Sequence, residues 1–123
     1  DLSIITYGNT VHLCLVVADK LAKEGIGVDV FDLRTLKPLD TAGIAHTVRR
    51  TGKALVVHED HRFGGLAAEI VAVINEECFM DLDAPVVRIG ALDIPVGFAK
   101  ALEYATLPQT HDIEEAARRL LAY

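Results

Sequence analysis

Apolar residues recur along this chain in two alternating rhythms. Leu2–Tyr7, Val28–Leu33, Ala54–Val57 and Val86–Ile89 are compact runs rich in β-branched and aromatic residues, which predict strands. Between and after them the apolar positions return at helical spacing. Val11, Cys14, Leu15, Ala18, Leu21 and Ala22 form one stripe, and Leu13, Val16 and Val17 widen it, so that helix is expected to be buried on more than one side. A second stripe is Ile44, Ala45 and Val48. A third is Leu66, Ala67, Ile70, Ile74 and Cys78, and the last is Ile113, Ala116, Ala117, Leu120 and Leu121.

The punctuation between these segments agrees with the rhythm. Gly8 ends the first strand, and Asn9 or Thr10 supplies a side-chain oxygen to cap the helix that follows. Gly25 suits a helix terminus. Pro38 bars a continuing strand or helix, and Asp40 is placed to cap a helix running to about Arg50, closed by Gly52. Asp112 with Glu115 has capping-box spacing. Gly90–Pro108 has no sustained period and holds two prolines. It reads as a long surface segment with at most one helical turn near Lys100–Tyr104, either functional or packed against something outside these residues. The order βαβαβαβ, loop, α predicts a three-layer α/β/α fold around an open, mainly parallel sheet.

Composition narrows the function classes. A net charge of −6 repels phosphate backbones, so nucleic acid is not an expected partner. No apolar run approaches the roughly 20 residues of a membrane span. The longest, Val11–Ala18, is interrupted by His12 and Cys14. Cys14 and Cys78 both fall on apolar helix faces, as expected of buried, reduced thiols in a cytoplasmic protein. The length suits a single domain over residues 1–123, and a first residue of Asp1 without Met marks it as an expected piece of a longer chain.

Candidate chemistry concentrates in the strand–loop–helix stretch Lys53–Ile70, because loops leaving the carboxyl ends of parallel strands carry function. His58, Glu59, Asp60, His61 and Arg62 form a dense polar loop, and Gly64-Gly65 opens the next helix. A zinc-protease pattern needs two histidines four apart on a helix, but position 62 is Arg62. An acid/base role for His58 or His61 lacks a second convergent group. Gly64-Gly65 fits neither the dinucleotide fingerprint nor the P-loop. Tyr7-Gly8-Asn9-Thr10 lies at another strand-to-helix turn and reads as capping. Ser3, the only serine, lies within a strand, outside any nucleophile elbow. His12, His46 and His111 are scattered and read as surface residues. The residues thus describe an α/β domain without a self-contained active site, a module that needs a partner domain.

Four segments resemble a known family. They are Asp1–Gly8 (DLSIITYG), Val30–Asp40 (VFDLRTLKPLD), Thr51-Gly-Lys with Val57-His-Glu and Gly64-Gly65 before Ala68-Glu-Ile70, and Leu82–Pro85 (LDAP) with Arg88 and Asp93-Ile-Pro95. In order and spacing the chain is similar to the C-terminal domain of the beta chain, or beta half of a fused chain, of thiamine diphosphate-dependent 2-oxo acid dehydrogenases, within the transketolase-like group. The resemblance implies a parent oxidoreductase that decarboxylates a 2-oxo acid on thiamine diphosphate with Mg and acylates a lipoyl group. The cofactor is not bound by this domain alone. The implied partners are the other domains of the parent chain, alpha and beta subunits in a homodimer or heterotetramer, and a dihydrolipoyl acyltransferase core. No catalytic, cofactor or metal residue is carried over. The loop His58, Glu59, Asp60, His61, Arg62, Gly64 and Gly65 is carried over as a candidate interface, and the surface near Tyr123 as a candidate docking site for the acyltransferase. Glu76–Phe79 before LDAP leans toward the branched-chain enzymes. The family's short edge strand before DLSIITYG falls outside these residues, which implies an open sheet edge. The alternatives are the same domain of a transketolase or deoxyxylulose-phosphate synthase, or a free-standing module binding a small anion at Gly8–Thr10 or Gly64-Gly65.

Overall fold

A computed structural model describes all residues, 1–123. Strands β1 (Leu2–Thr6), β2 (Val28–Asp32), β3 (Ala54–His61) and β4 (Val87–Ala91) form one sheet in the order β2-β1-β3-β4, with every neighbouring pair parallel. Helices α1 (Thr10–Ala22) and α5 (Thr110–Leu121) cover one face. Helices α2 (Thr41–Thr51) and α3 (Ala67–Cys78) cover the other. The three-layer α/β/α architecture read from the sequence is therefore the one found.

Alternation along each strand divides the core in two. Leu2, Ile4, Leu55 and Val57 meet Cys14, Val17 and Leu21 of α1 and Ile113, Ala117 and Leu120 of α5. Ile5, Ala54 and Val56 meet Ile44 and Val48 of α2 and Ile70 and Ile74 of α3. All five residues of β1 are buried, because it is central and covered on both faces, the environment that favours an unbroken apolar run. At about 25 cal/mol per Å² of apolar surface, this double burial is the main source of stability. At the edge, Asp29 of β2 is engaged by Arg50, so a charge sits along an open strand.

Five local expectations are corrected. Helix α1 is not buried on more than one side: Leu15 and Val16 are 46% and 58% exposed, because α1 lies in an outer layer with a single inward face. Its start is not capped by a side chain. Asn9 makes no capping bond, and the Thr10 hydroxyl instead donates backward to the Tyr7 carbonyl at 2.8 Å. The capping box of α5 lies one turn earlier, between Gln109 and Asp112 rather than Asp112 and Glu115. The Gly90–Pro108 segment contains a seven-residue helix, α4 (Lys100–Thr106), longer than a single turn. Finally, His58–His61 is not a loop but the end of β3. Asp40 and Gly52 behave as read: Gly43 N–H donates to Asp40 at 2.8 Å, and Gly52 closes α2 in the left-handed region at φ 68°.

Candidate functional site

The strand order reverses between β1 and β3, since α1 departs toward β2 on one face and α3 toward β4 on the other. Ligands in open α/β sheets favour the crevice outside the carboxyl ends of strands at such a switch point. Here that crevice is filled by the chain itself. Tyr7 follows β1, and its hydroxyl lies 3.2 Å from Nδ1 of His58 on β3, with the rings tilted and 6.2 Å apart. His58 is fully buried. Position 58 shares the inward alternation of Ala54 and Val56, toward α3, and two glycines leave room for its ring. A Cβ on Gly65 would lie 2.6 Å from Cε1 of His58, and one on Gly90 would lie 2.7 Å from Nε2. The sequence did not betray this placement, because Glu59 and Asp60 made the whole segment look solvated.

The end of β3 is irregular. Val57 pairs with Ile89 and His61 with Ala91, so four residues of advance on β3 match two on β4. The surplus forms a bulge that turns Glu59 and Asp60 to solvent and aims His61 across the sheet edge. A His61 ring nitrogen lies 3.0 Å from the Ile94 carbonyl oxygen. Arg62 N–H donates to Ala91 O at 3.0 Å, Phe63 N–H donates to an Asp93 carboxylate oxygen at 2.9 Å, and the Arg88 guanidinium donates to Arg62 O. These bonds staple the turn from Arg62 to Leu66 onto the segment after β4. Together the two display Phe63, Ile94, Val96 and Phe98 to solvent, with Leu102 and Tyr104 of α4 also exposed. Phe63 is 83% exposed. Phe63 and Ile94 line one shallow surface hollow with Pro95, and exposed apolar groups gathered in this way mark interaction surfaces.

Neither small-anion position is built for an anion. The Glu59 carboxylate lies 3.9 Å from where a Cβ on Gly8 would stand, and an Asp60 oxygen lies 3.1 Å from the equivalent point on Gly65. Acidic groups there oppose phosphate, despite the favourable end of the α3 dipole. The same acidic lining and the filled crevice do not fit a diphosphate cofactor. No group of three or more His, Cys, Asp or Glu side chains converges as metal ligands.

Tyr123 belongs to a different surface. It is 73% exposed and lines an apolar groove of about 800 Å³ with Val71, Phe79, Met80, Leu82 and Pro85. The groove lies at the opposite end of the strands, beside the start of β4. A third groove, of about 370 Å³, follows the outer edge of β4 and is lined by Arg88, Asp93, Asp112 and Arg119 among others.

Residues 1–113 match the family described as "Transketolase, C-terminal domain". The chain belongs to that family. It is 46% identical over its full length to the pyruvate dehydrogenase E1 component subunit beta of Bacillus subtilis, and 40% identical to the 2-oxoisovalerate dehydrogenase subunit beta of the same organism. Each alignment covers 100% of this chain and 38% of the relative. Among solved structures, a split-gene transketolase described as an inactive β4 tetramer superposes with a TM-score of 0.82 and 30% identity, over 99% of this chain and 38% of that one. The family resemblance read from DLRTLKPLD and the His58–Ile70 stretch is thus borne out. The lean from Glu76–Phe79 toward branched-chain enzymes is not reflected in these identities, the pyruvate relative being the more similar of the two. No helix is long and apolar enough to cross a membrane.

Proposed function

We propose that this domain is an assembly module of the decarboxylating component of a 2-oxo acid dehydrogenase complex, and that it carries subunit contacts rather than catalysis. The observation carrying this reading is the stapled apolar surface around Phe63, Ile94 and Phe98, next to a switch point filled by Tyr7 and His58. An enzyme domain of its own would keep that crevice open. In this reading, His58, Glu59, Asp60, His61, Arg62, Gly64 and Gly65 divide their roles. His58 and Gly65 hold the turn from inside, and the others meet an alpha or beta subunit. The groove at Tyr123 receives the acyltransferase core, with Phe79 and Met80 as its apolar walls.

The parent enzyme supplies thiamine diphosphate and Mg from its other domains and works in the cytoplasm, although plant and slime-mould relatives are called mitochondrial. Its substrate class is 2-oxo acids. The test is reduction of an artificial electron acceptor by the full-length protein with its alpha subunit. Pyruvate and branched-chain 2-oxo acids are supplied with and without thiamine diphosphate and Mg²⁺. Cofactor-dependent turnover is expected. Activity on ketose phosphates alone would assign the chain to the transketolase branch, which the split-gene structural neighbour makes the competing reading.

A further inference from the structure

His58 is the one buried side chain whose polar atom, Nε2, has no hydrogen-bonding partner. It sits where four parts of the fold meet: the end of β1 through Tyr7, the bulged end of β3, Gly65 before α3, and Gly90 of the edge strand β4. A neutral ring suits this position. With the proton on Nδ1 donated to the Tyr7 hydroxyl, Nε2 carries only a lone pair and faces the side of Gly90 where a Cβ would stand. A second proton would place a charged N–H in that contact with no acceptor, at the desolvation cost of a buried, unpaired charge.

The surrounding charges are few. Burial is the largest effect and opposes the charged ring; Asp60 from β3 favours it and Arg88 from β4 opposes it, and together they hold the imidazole below its ordinary value of 6.5. The positive end of the α3 dipole, beside Gly65, opposes the charge further. Glu59 points toward Gly8, and Glu69, the acidic residue in the first turn of α3, is exposed. Tyr7 is a neutral phenol, its own ionisation pushed up by burial, Asp60 and Glu59.

We propose that His58 is a pH-operated latch. Neutral, it pins the Arg62–Leu66 turn against β4. Protonated, it releases that turn together with the apolar surface carrying Phe63 and Ile94. The sign follows from linkage. Above about 6.5 the ring is neutral whether the turn is closed or open, so closure carries no penalty. Below 6.5 the open form binds the proton more readily, so the closed form weakens as pH falls, until the closed form itself is protonated. The inference concerns this chain's own packing and holds whichever enzyme the domain serves.

The decisive experiment follows hydrogen exchange by mass spectrometry on the full-length protein between about pH 7.5 and 5.5, across the titration of an ordinary histidine. Amide rates are corrected for intrinsic chemistry. Exchange at the imidazole C2–H of His58 gives its titration directly. His58 should titrate below 6.5, and opening of peptides over 58–66 and 87–94 should rise by up to about tenfold per pH unit below that value. Peptides over α2 should keep their protection. His58→Asn, which keeps a polar group near Tyr7 but does not titrate, should abolish the slope, while His61→Gln should retain it. If His58→Asn does not fold, the wild-type titration and exchange decide alone. A ring that titrates at or above 6.5, peptides 58–66 equally protected at both pH extremes, or a His58→Asn slope equal to wild type would overturn the latch.

Discussion

Cys14 shows how far position changes a side chain's chemistry. It lies fully buried between α1 and the sheet, and burial pushes its thiol up to about 12, outweighing the stabilisation of the thiolate by Thr6. The thiolate is the reactive form, so the group is inert at neutral pH. Cys78 is also buried, with its thiol directed at the Ala45 carbonyl and its ionisation pushed up chiefly by burial. Both thiols should resist alkylation near pH 8 in the native state and react only after addition of denaturant, as a thiol-counting assay would read. Gly90 makes the opposite point, a residue defined by what it lacks. Its missing Cβ would stand 2.7 Å from Nε2 of His58 and 2.8 Å from the Asp60 carbonyl oxygen. Gly90→Ala should therefore cost about 1–3 kcal/mol in denaturant unfolding, the usual penalty of overpacking. From the sequence Gly90 was only the first residue of the long surface segment Gly90–Pro108, since the neighbour that needs the space is 32 positions away in the chain.

At the scale of elements, stability depends on ends as much as on faces. Helix α2 has modest apolar content, and its boundaries are fixed by Asp40 at one end and left-handed Gly52 at the other. Asp40→Ala removes the acceptor for Gly43 N–H and should destabilise by about 1 kcal/mol, measured by urea unfolding. These two residues were legible beforehand because cap chemistry is local: the side chain and the backbone group it satisfies lie three positions apart. Helix α1 was misjudged for the complementary reason. Its periodicity shows which residues can face inward but not how many neighbouring layers will be there to receive them. On α5, Arg118 bridges Glu24 of the α1–β2 connection and Glu114 one turn earlier, while Lys20 of α1 reaches the same Glu114. These exposed pairs register α1 beside α5 without deciding the fold, and salt should weaken them.

For the whole molecule, the two ends of the sheet present two different apolar surfaces. The carboxyl end of the strands presents the stapled apolar surface, and the amino end presents the groove at Tyr123. Phe63→Asp with Phe98→Asp should leave the domain's own stability within about 0.5 kcal/mol, since both side chains are exposed. The same pair should weaken assembly of the full-length protein with its partner subunits, visible by analytical ultracentrifugation. Met80, 90% exposed in the Tyr123 groove, provides the contrast. On the proposed docking of the acyltransferase core at this groove, Met80→Asp should leave subunit assembly intact and reduce that binding in a titration.

The sequence by itself determined the alternation of strands and helices, the parallel three-layer class, both buried cysteines and the family. Each follows from periodicity, caps or motif spacing, and these are properties of neighbours in the chain. Only the tertiary structure decided that His58 lies inside while Glu59 and Asp60 lie outside, that the switch point is closed, and that Phe63 and Ile94 share one surface. Those outcomes depend on space left by Gly65 and Gly90 and on a bulge whose surplus is measured against a different strand. A polar run reads as solvated until the packing that surrounds one of its members is known.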